Sequence, residues 1–120
     1  MFEFPKSQRL LRRLDFKETL DNGVKVVNPY LVVLATPSKG GKSVRLGIIV
    51  SKKVGNAVVR NKVKRRLREG FRTLPKSNFP DLDVVVIARH RASNAATEDL
   101  IKSLRSGLHR IRDKVQAEGA

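Results

Sequence analysis

The stretch RLGIIVSKKVGNAVVRNKVKRRLREGFR, residues 45–72, changes its apolar period partway along. Residues 44–51 alternate: Leu46, Ile48 and Val50 fall on one side, and Arg45, Gly47, Ile49 and Ser51 on the other. That period of two is a strand's. The second face is small and partly polar, which leaves its place in a core open. From Ala57 the apolar residues Val59, Val63, Leu67 and Phe71 recur every fourth position. They form the stripe of an amphipathic helix over about residues 57–72, and Lys53 to Asn56 supply the turn between.

The remaining elements follow outward from this unit. A short helix is expected over Arg13 to Asn22, with Phe16 and Leu20 on one face and Leu14 adding apolar weight. Gly23 ends it and is read as a left-handed C′ residue. Val24–Val27 and Tyr30–Thr36 read as strands broken by Asn28 and Pro29, with PSKGGKS (37–43) as the turn to the next strand. After a loop holding Pro75, Ser77, Asn78 and Pro80, Val84–Ala88 is continuously apolar and reads as a buried strand. A last helix runs from Ala96 or Thr97 to Val115 with Leu100, Leu104, Leu108, Ile111 and Val115 inward, and residues 116–120 are expected to fray. Residues 1–12 read as extended. The order gives an α+β fold, an αβββαβα sandwich with one mostly antiparallel four-stranded sheet and helices mainly on one face, in a single domain spanning residues 1–120.

Charge narrows the function. The chain of 120 residues holds 26 Lys and Arg against 11 Asp and Glu, a formal +15. Because 40% of the residues are hydrophobic, the excess belongs to a folding domain rather than a disordered basic tail. Such a charge opposes compaction unless a polyanion screens it, so RNA or DNA is the leading partner and an anionic membrane the weaker one. The absence of cysteine excludes disulfides, thiolate zinc sites and cysteine nucleophiles. No apolar run is long enough for a signal peptide or a membrane span, and the expected location is cytoplasmic.

Catalytic signals are thin. GGKS at 40–43 has the end of a phosphate-binding loop, but Thr36 stands where the motif needs glycine and a strand follows. His90 and His109 lie on different elements without metal-ligand spacing. Asp81 and Asp83 read more simply as a turn and strand cap than as a two-metal site. The expectation is no catalytic residue and no metal in this chain. On the helix at 57–72, by contrast, Arg60, Lys64, Arg68 and Arg72 form a row flanked by Asn61 and Arg65, with Lys62 and Arg66 nearer the far side and only Glu69 to offset them. A merely solvated face interleaves acids at i,i+4; this one forgoes that support, which favours polyanion binding. Lys52, Lys53, Gly55 and Asn56 either present a helix N-terminus to phosphate or simply start the helix.

Residues 45–72 resemble the signature of the bacterial ribonuclease P protein subunit, in Arg45, Gly47, Ser51, Lys52, Lys53, the Gly55-Asn56-Ala57-Val58 turn, and Arg60, Asn61, Lys64, Arg65, Arg68 and Glu69. FPK and RLL near the start, Asp15 and Phe16, and DVVVIAR at 83–89 extend the resemblance over nearly the whole chain. It implies a left-handed βαβ crossover through the basic helix, against the ordinary preference for right-handed ones. It also implies the small protein of a ribonucleoprotein in which the RNA subunit performs Mg²⁺-dependent removal of the 5′ leader from precursor tRNA. By that resemblance Lys52, Lys53, Asn56, Arg60, Asn61, Lys62, Lys64, Arg65 and Arg68 would face the catalytic RNA. Phe16, Lys17, Leu20, Tyr30, Arg45, Gly47, Ser51 and Arg89 would line the leader cleft.

Two departures stand out. Lys62 occupies the place of the signature's second arginine and lacks its bidentate fork. Leu34 stands where the family often has an aromatic, and Tyr30, four residues earlier on the same strand face, is the expected substitute. Two other readings of the chain are a structured-RNA-binding or ribosomal protein with no part in cleavage, and an independent protein nuclease.

Overall fold

The computed structural model describes residues 13–38, 44–76 and 79–118. The extended segment expected at 1–12, most of the glycine-rich turn, Ser77 and Asn78, and residues 119–120 lie outside them. The elements are α1 (Arg13–Asn22), β1 (Val24–Val27), β2 (Leu31–Pro37), β3 (Arg45–Ile49), α2 (Ala57–Arg72), β4 (Leu82–Ala88), a 3-10 turn (His90–Asn94) and α3 (Thr97–Glu118). α1 and α2 match the expected bounds, while α3 continues three residues past Val115.

The strands form one sheet in the order β1-β2-β4-β3. β1 with β2 and β2 with β4 are antiparallel, and β3 with β4 is parallel. Opposed residues share a face, so the register sorts the side chains. Leu31, Val33, Ala35, Leu46, Val84 and Val86 point one way and are buried with Val63, Leu67 and Phe71 of α2 and Leu100, Leu104 and Ile111 of α3. Leu34, Thr36, Gly47, Asp83 and Val85 point the other way, where α1 lies across the sheet. Two helices thus cover one face and α1 part of the other.

The hand of the β3-α2-β4 crossover follows from chirality. Ser38 N–H donates to Asp81 O and Arg89 N–H to Tyr30 O, so the even-numbered residues of β2 turn their backbone groups toward β4. Their side chains point to the α1 face. For L-residues this puts β4 to the right of an ascending β2 seen from that face. With α2 behind, the step from β3 to β4 is left-handed, the rare sense.

Local chemistry sets the element ends. Asn28 Oδ1 accepts from the N–H groups of Tyr30 and Leu31 at 3.1 and 2.9 Å, an Asx turn that reverses the chain. Asn56 is extended (ψ 178°) and its side chain accepts from Val59 N–H at 3.0 Å, capping α2. At the other end of α2, Lys76 Nζ donates to Leu74 O at 3.1 Å. Gly23 is not a left-handed cap. It continues the helical bonding, its N–H donating to Thr19 O at 2.9 Å, and glycine is needed because a Cβ would sit 2.3 Å from that oxygen and 3.2 Å from Ala35.

Candidate nucleic-acid interface

α2 packs through Val63, Leu67, Gly70 and Phe71, and this burial aims its charge outward. Asn61, Lys62, Arg65 and Arg68 are exposed and form the outermost line, with Val58, 75% exposed, at its start. Arg60 and Lys64, read as the centre of the row, lie half-buried on its flank, and the Nε of Arg60 is buried without a hydrogen-bond partner. Glu69, the acid in the helix, pairs with Arg72 at 2.6 Å. That leaves Lys62, Lys64, Arg65 and Arg68 without an acidic partner among the described residues. Arg66 turns away, its Nη1 3.4 Å from Ala95 O.

Lys52 and Lys53 are exposed in the turn ahead of α2. Because Asn56 occupies the Val59 N–H, that donor of the first turn is closed to a phosphate. The turn starts the helix, and it sets two exposed lysines beside the basic line of α2.

The opposite face of the sheet is different in character. Phe16 on α1 is half-buried, and its ring tip rests on Gly47, where a Cβ would lie 2.3 Å from Cζ. Thr19 is fully buried beside it, its hydroxyl 3.1 Å from that of Thr36. Leu20 is 39% exposed, and exposed Lys17 pairs with Asp21 at 2.7 Å; that bond raises the lysine above its ordinary pKa. Beyond α1 a row of aliphatic residues crosses all four strands, Val27, Val32, Ile87 and Ile49 in register, each incompletely covered. Sequence reading did not single this row out. Each member looks like an ordinary strand residue until the register lines them up. Ser51 and Arg89 are exposed just past the row's end, and Arg89 Nη1 donates to Asn28 O at 2.9 Å.

Arg45 is held rather than loose. Its Nε and Nη2 donate to the two carboxylate oxygens of Asp83 at 2.8 Å each, a bidentate pair across the parallel strands. Asp83 is therefore no strand cap: its side chain is 6% exposed and neutralises a cation beneath α1.

Tyr30 is placed differently from the expectation. The Asx turn interrupts the pleat before Leu31, so the alternation that would set Tyr30 beside Leu34 does not reach it. Tyr30 packs partly buried against the main core. It lines two hollows, one with Lys53, Val54 and the 3-10 turn, the other with Pro29 and α3; Phe16 lines neither. Among the described residues no three His, Asp or Glu side chains gather as metal ligands, and no helix is long and apolar enough to cross a membrane.

Residues 4–112 match the family model described as Ribonuclease P. The ribonuclease P protein component of Citrifermentans bemidjiense is 41% identical over 111 residues, 92% of this chain and 94% of that one. That of Staphylococcus epidermidis is 42% identical over 99 residues, 82% and 85% of the two chains. Among solved structures, the RNase P protein of Staphylococcus aureus superposes with a TM-score of 0.79 at 40% identity, covering 87% of this chain and 94% of that one. The Thermotoga maritima protein, in complex with 1-(4-fluorophenyl)-2-thiourea, gives 0.76 at 36%, covering 85% and 98%. With one fold and about two residues in five shared along nearly its whole length, the chain belongs to the ribonuclease P protein family.

Proposed function

We propose that this chain is the RNA-binding subunit of a ribonuclease P ribonucleoprotein and uses the two faces of its sheet for two RNAs. The observation that carries this reading is their division. A helix whose outward cations lack acidic partners stands on one face, and an incompletely covered aliphatic row edged by Phe16 and Arg89 lies on the other. Arg60, Asn61, Lys62, Lys64, Arg65 and Arg68, with Lys52, Lys53 and Asn56, hold phosphates of the catalytic RNA. Phe16, Lys17, Leu20, Gly47, Ser51 and Arg89 border the single-stranded leader of precursor tRNA. There an apolar floor and flanking cations suit unstacked bases and their backbone. In this role Arg45 is held against the sheet by its pair with Asp83, on the face that carries Phe16.

The chemistry belongs to the RNA subunit. Mg²⁺ held by the RNA would supply the activated water for hydrolysis at the leader junction, leaving the 5′-phosphate on the tRNA and a 3′-hydroxyl on the leader, and this chain's residues would hold no part of it. The protein supplies positioning and charge, and its location is the cytoplasm. The test is cleavage of precursor tRNA by catalytic RNA at low Mg²⁺, with and without the chain. Stimulation by the protein is the expected outcome. Unchanged RNA-alone rates would make the chain a structured-RNA binder with no part in cleavage, and cleavage by the protein freed of RNA would make it a nuclease.

A further inference from the structure

Most arginines near the sheet are engaged: Arg45 with Asp83, Arg72 with Glu69, Arg89 with Asn28 O, Arg66 with Ala95 O. One hollow departs from that rule. It has a volume of about 360 Å³ and opens between the turn before α2, Tyr30 and the 3-10 turn after β4. Lys53, His90 and Arg91 stand around it, all exposed and, among the described residues, without a hydrogen-bond or ion-pair partner on their side chains. Val54 and the partly buried Tyr30 supply its apolar wall, and Ser93 and Asn94 complete it. No acid lines it; Asp99 belongs to the neighbouring hollow on α3.

We propose that this hollow is a nucleotide subsite of the catalytic-RNA interface, with one phosphodiester held between Lys53 and Arg91 and the attached base or ribose against Tyr30. Its size is that of small-ligand sites, and its make-up is an aromatic wall with convergent cations, the combination that binds unstacked nucleotides. The catalytic RNA is the occupant because the hollow is continuous with α2: Lys53 and Val54 lie in the turn that Asn56 closes, at the positive end of a 16-residue helix. The subsite carries the RNA footprint past α2 onto the end of β4, where His90 adds a third donor beside the phosphate. It rests on the reading of α2 as the catalytic-RNA face.

The test measures binding of the full chain to catalytic RNA as a function of salt, for Arg91→Ala, Tyr30→Phe and Tyr30→Leu, with Arg65→Ala as the reference. Arg91→Ala is expected to flatten the log–log salt slope by about 0.7–0.9, one phosphate contact. Tyr30→Leu is expected to weaken binding about 5-fold or more without changing the slope, and Tyr30→Phe to bind as the parent does. Melting curves of each variant separate these effects from unfolding; Arg91 is exposed, so its replacement tests the phosphate contact without disturbing the core. A slope altered by Arg65→Ala and not by Arg91→Ala overturns the subsite and leaves the function standing. A loss confined to leader-bearing precursor in the assembled holoenzyme assigns the hollow to the leader and overturns it as well. Slopes unchanged by both replacements overturn the subsite together with the reading of α2.

Discussion

Gly47 and Phe16 form one device. The glycine leaves the space in which the ring tip sits, so the aromatic is anchored at its far end while the rest of the side chain stays half-exposed. Gly47→Ala places a methyl on the ring and is expected to cost about 1–3 kcal/mol by overpacking. In a Phe16→Ala background the same change should cost little, because the atom it strikes is gone. Denaturant melts of the four proteins in the cycle check the coupling; equal costs in both backgrounds would mean that the ring does not rest there. Asp83 shows how a single residue escapes a reading of the chain. Its partner Arg45 is 38 positions away and reaches it only through parallel pairing of β3 with β4. Locally, a carboxylate ahead of an apolar run has the look of a cap.

α2 is the most legible element because four apolar residues at a spacing of four coincide with a capping asparagine and a dense charge. Its cap is open to measurement. Asn56→Ala removes the acceptor for Val59 N–H and is expected to destabilise the protein by about 1 kcal/mol, lowering the denaturation midpoint with no change in m. A midpoint that does not move would mean that water replaces the cap. The 3-10 turn at His90–Asn94 was not legible. HRASN has neither helical nor strand period; it is held by Ser93 Oγ donating to His90 O at 2.8 Å and by burial of Ala92. The departure of Tyr30 has the same origin, since an Asx turn outranks the pleat at a strand's first residue.

Over the whole molecule the excess of +15 is distributed unevenly. Acids are drawn into pairs at α1, β4 and the end of α2, and α2's outer line and the hollow beside it keep their cations. Crowding also reaches Lys76, whose ammonium is held below the usual lysine range by burial and then by the charge of Arg72. Anions that settle on these cations bind the folded state in preference to the unfolded one. Each tenfold rise in sulfate beyond its dissociation constant therefore adds about 1.4 kcal/mol of stability. Thermal melts in sulfate and in sodium chloride of equal ionic strength separate site binding from screening. The expected result is a higher Tm in sulfate, and equal melting temperatures would reduce the effect to screening alone.

Local periods, caps and charge were enough to specify the helices and strands, their order, the apolar stripe of α2 and its outward line of cations, since each depends on residues within a turn or two of one another. The resemblance in residues 45–72 supplied the crossover hand that ordinary chain rules would have reversed. Register and long-range packing decided the rest. They set Val27, Val32, Ile87 and Ile49 side by side, joined Arg45 to Asp83, laid Phe16 on Gly47, and brought Lys53, Tyr30 and Arg91 around one hollow. The physical reason is that these contacts join residues tens of positions apart, and a strand's pairing partner is chosen by the burial of whole faces rather than by its own sequence.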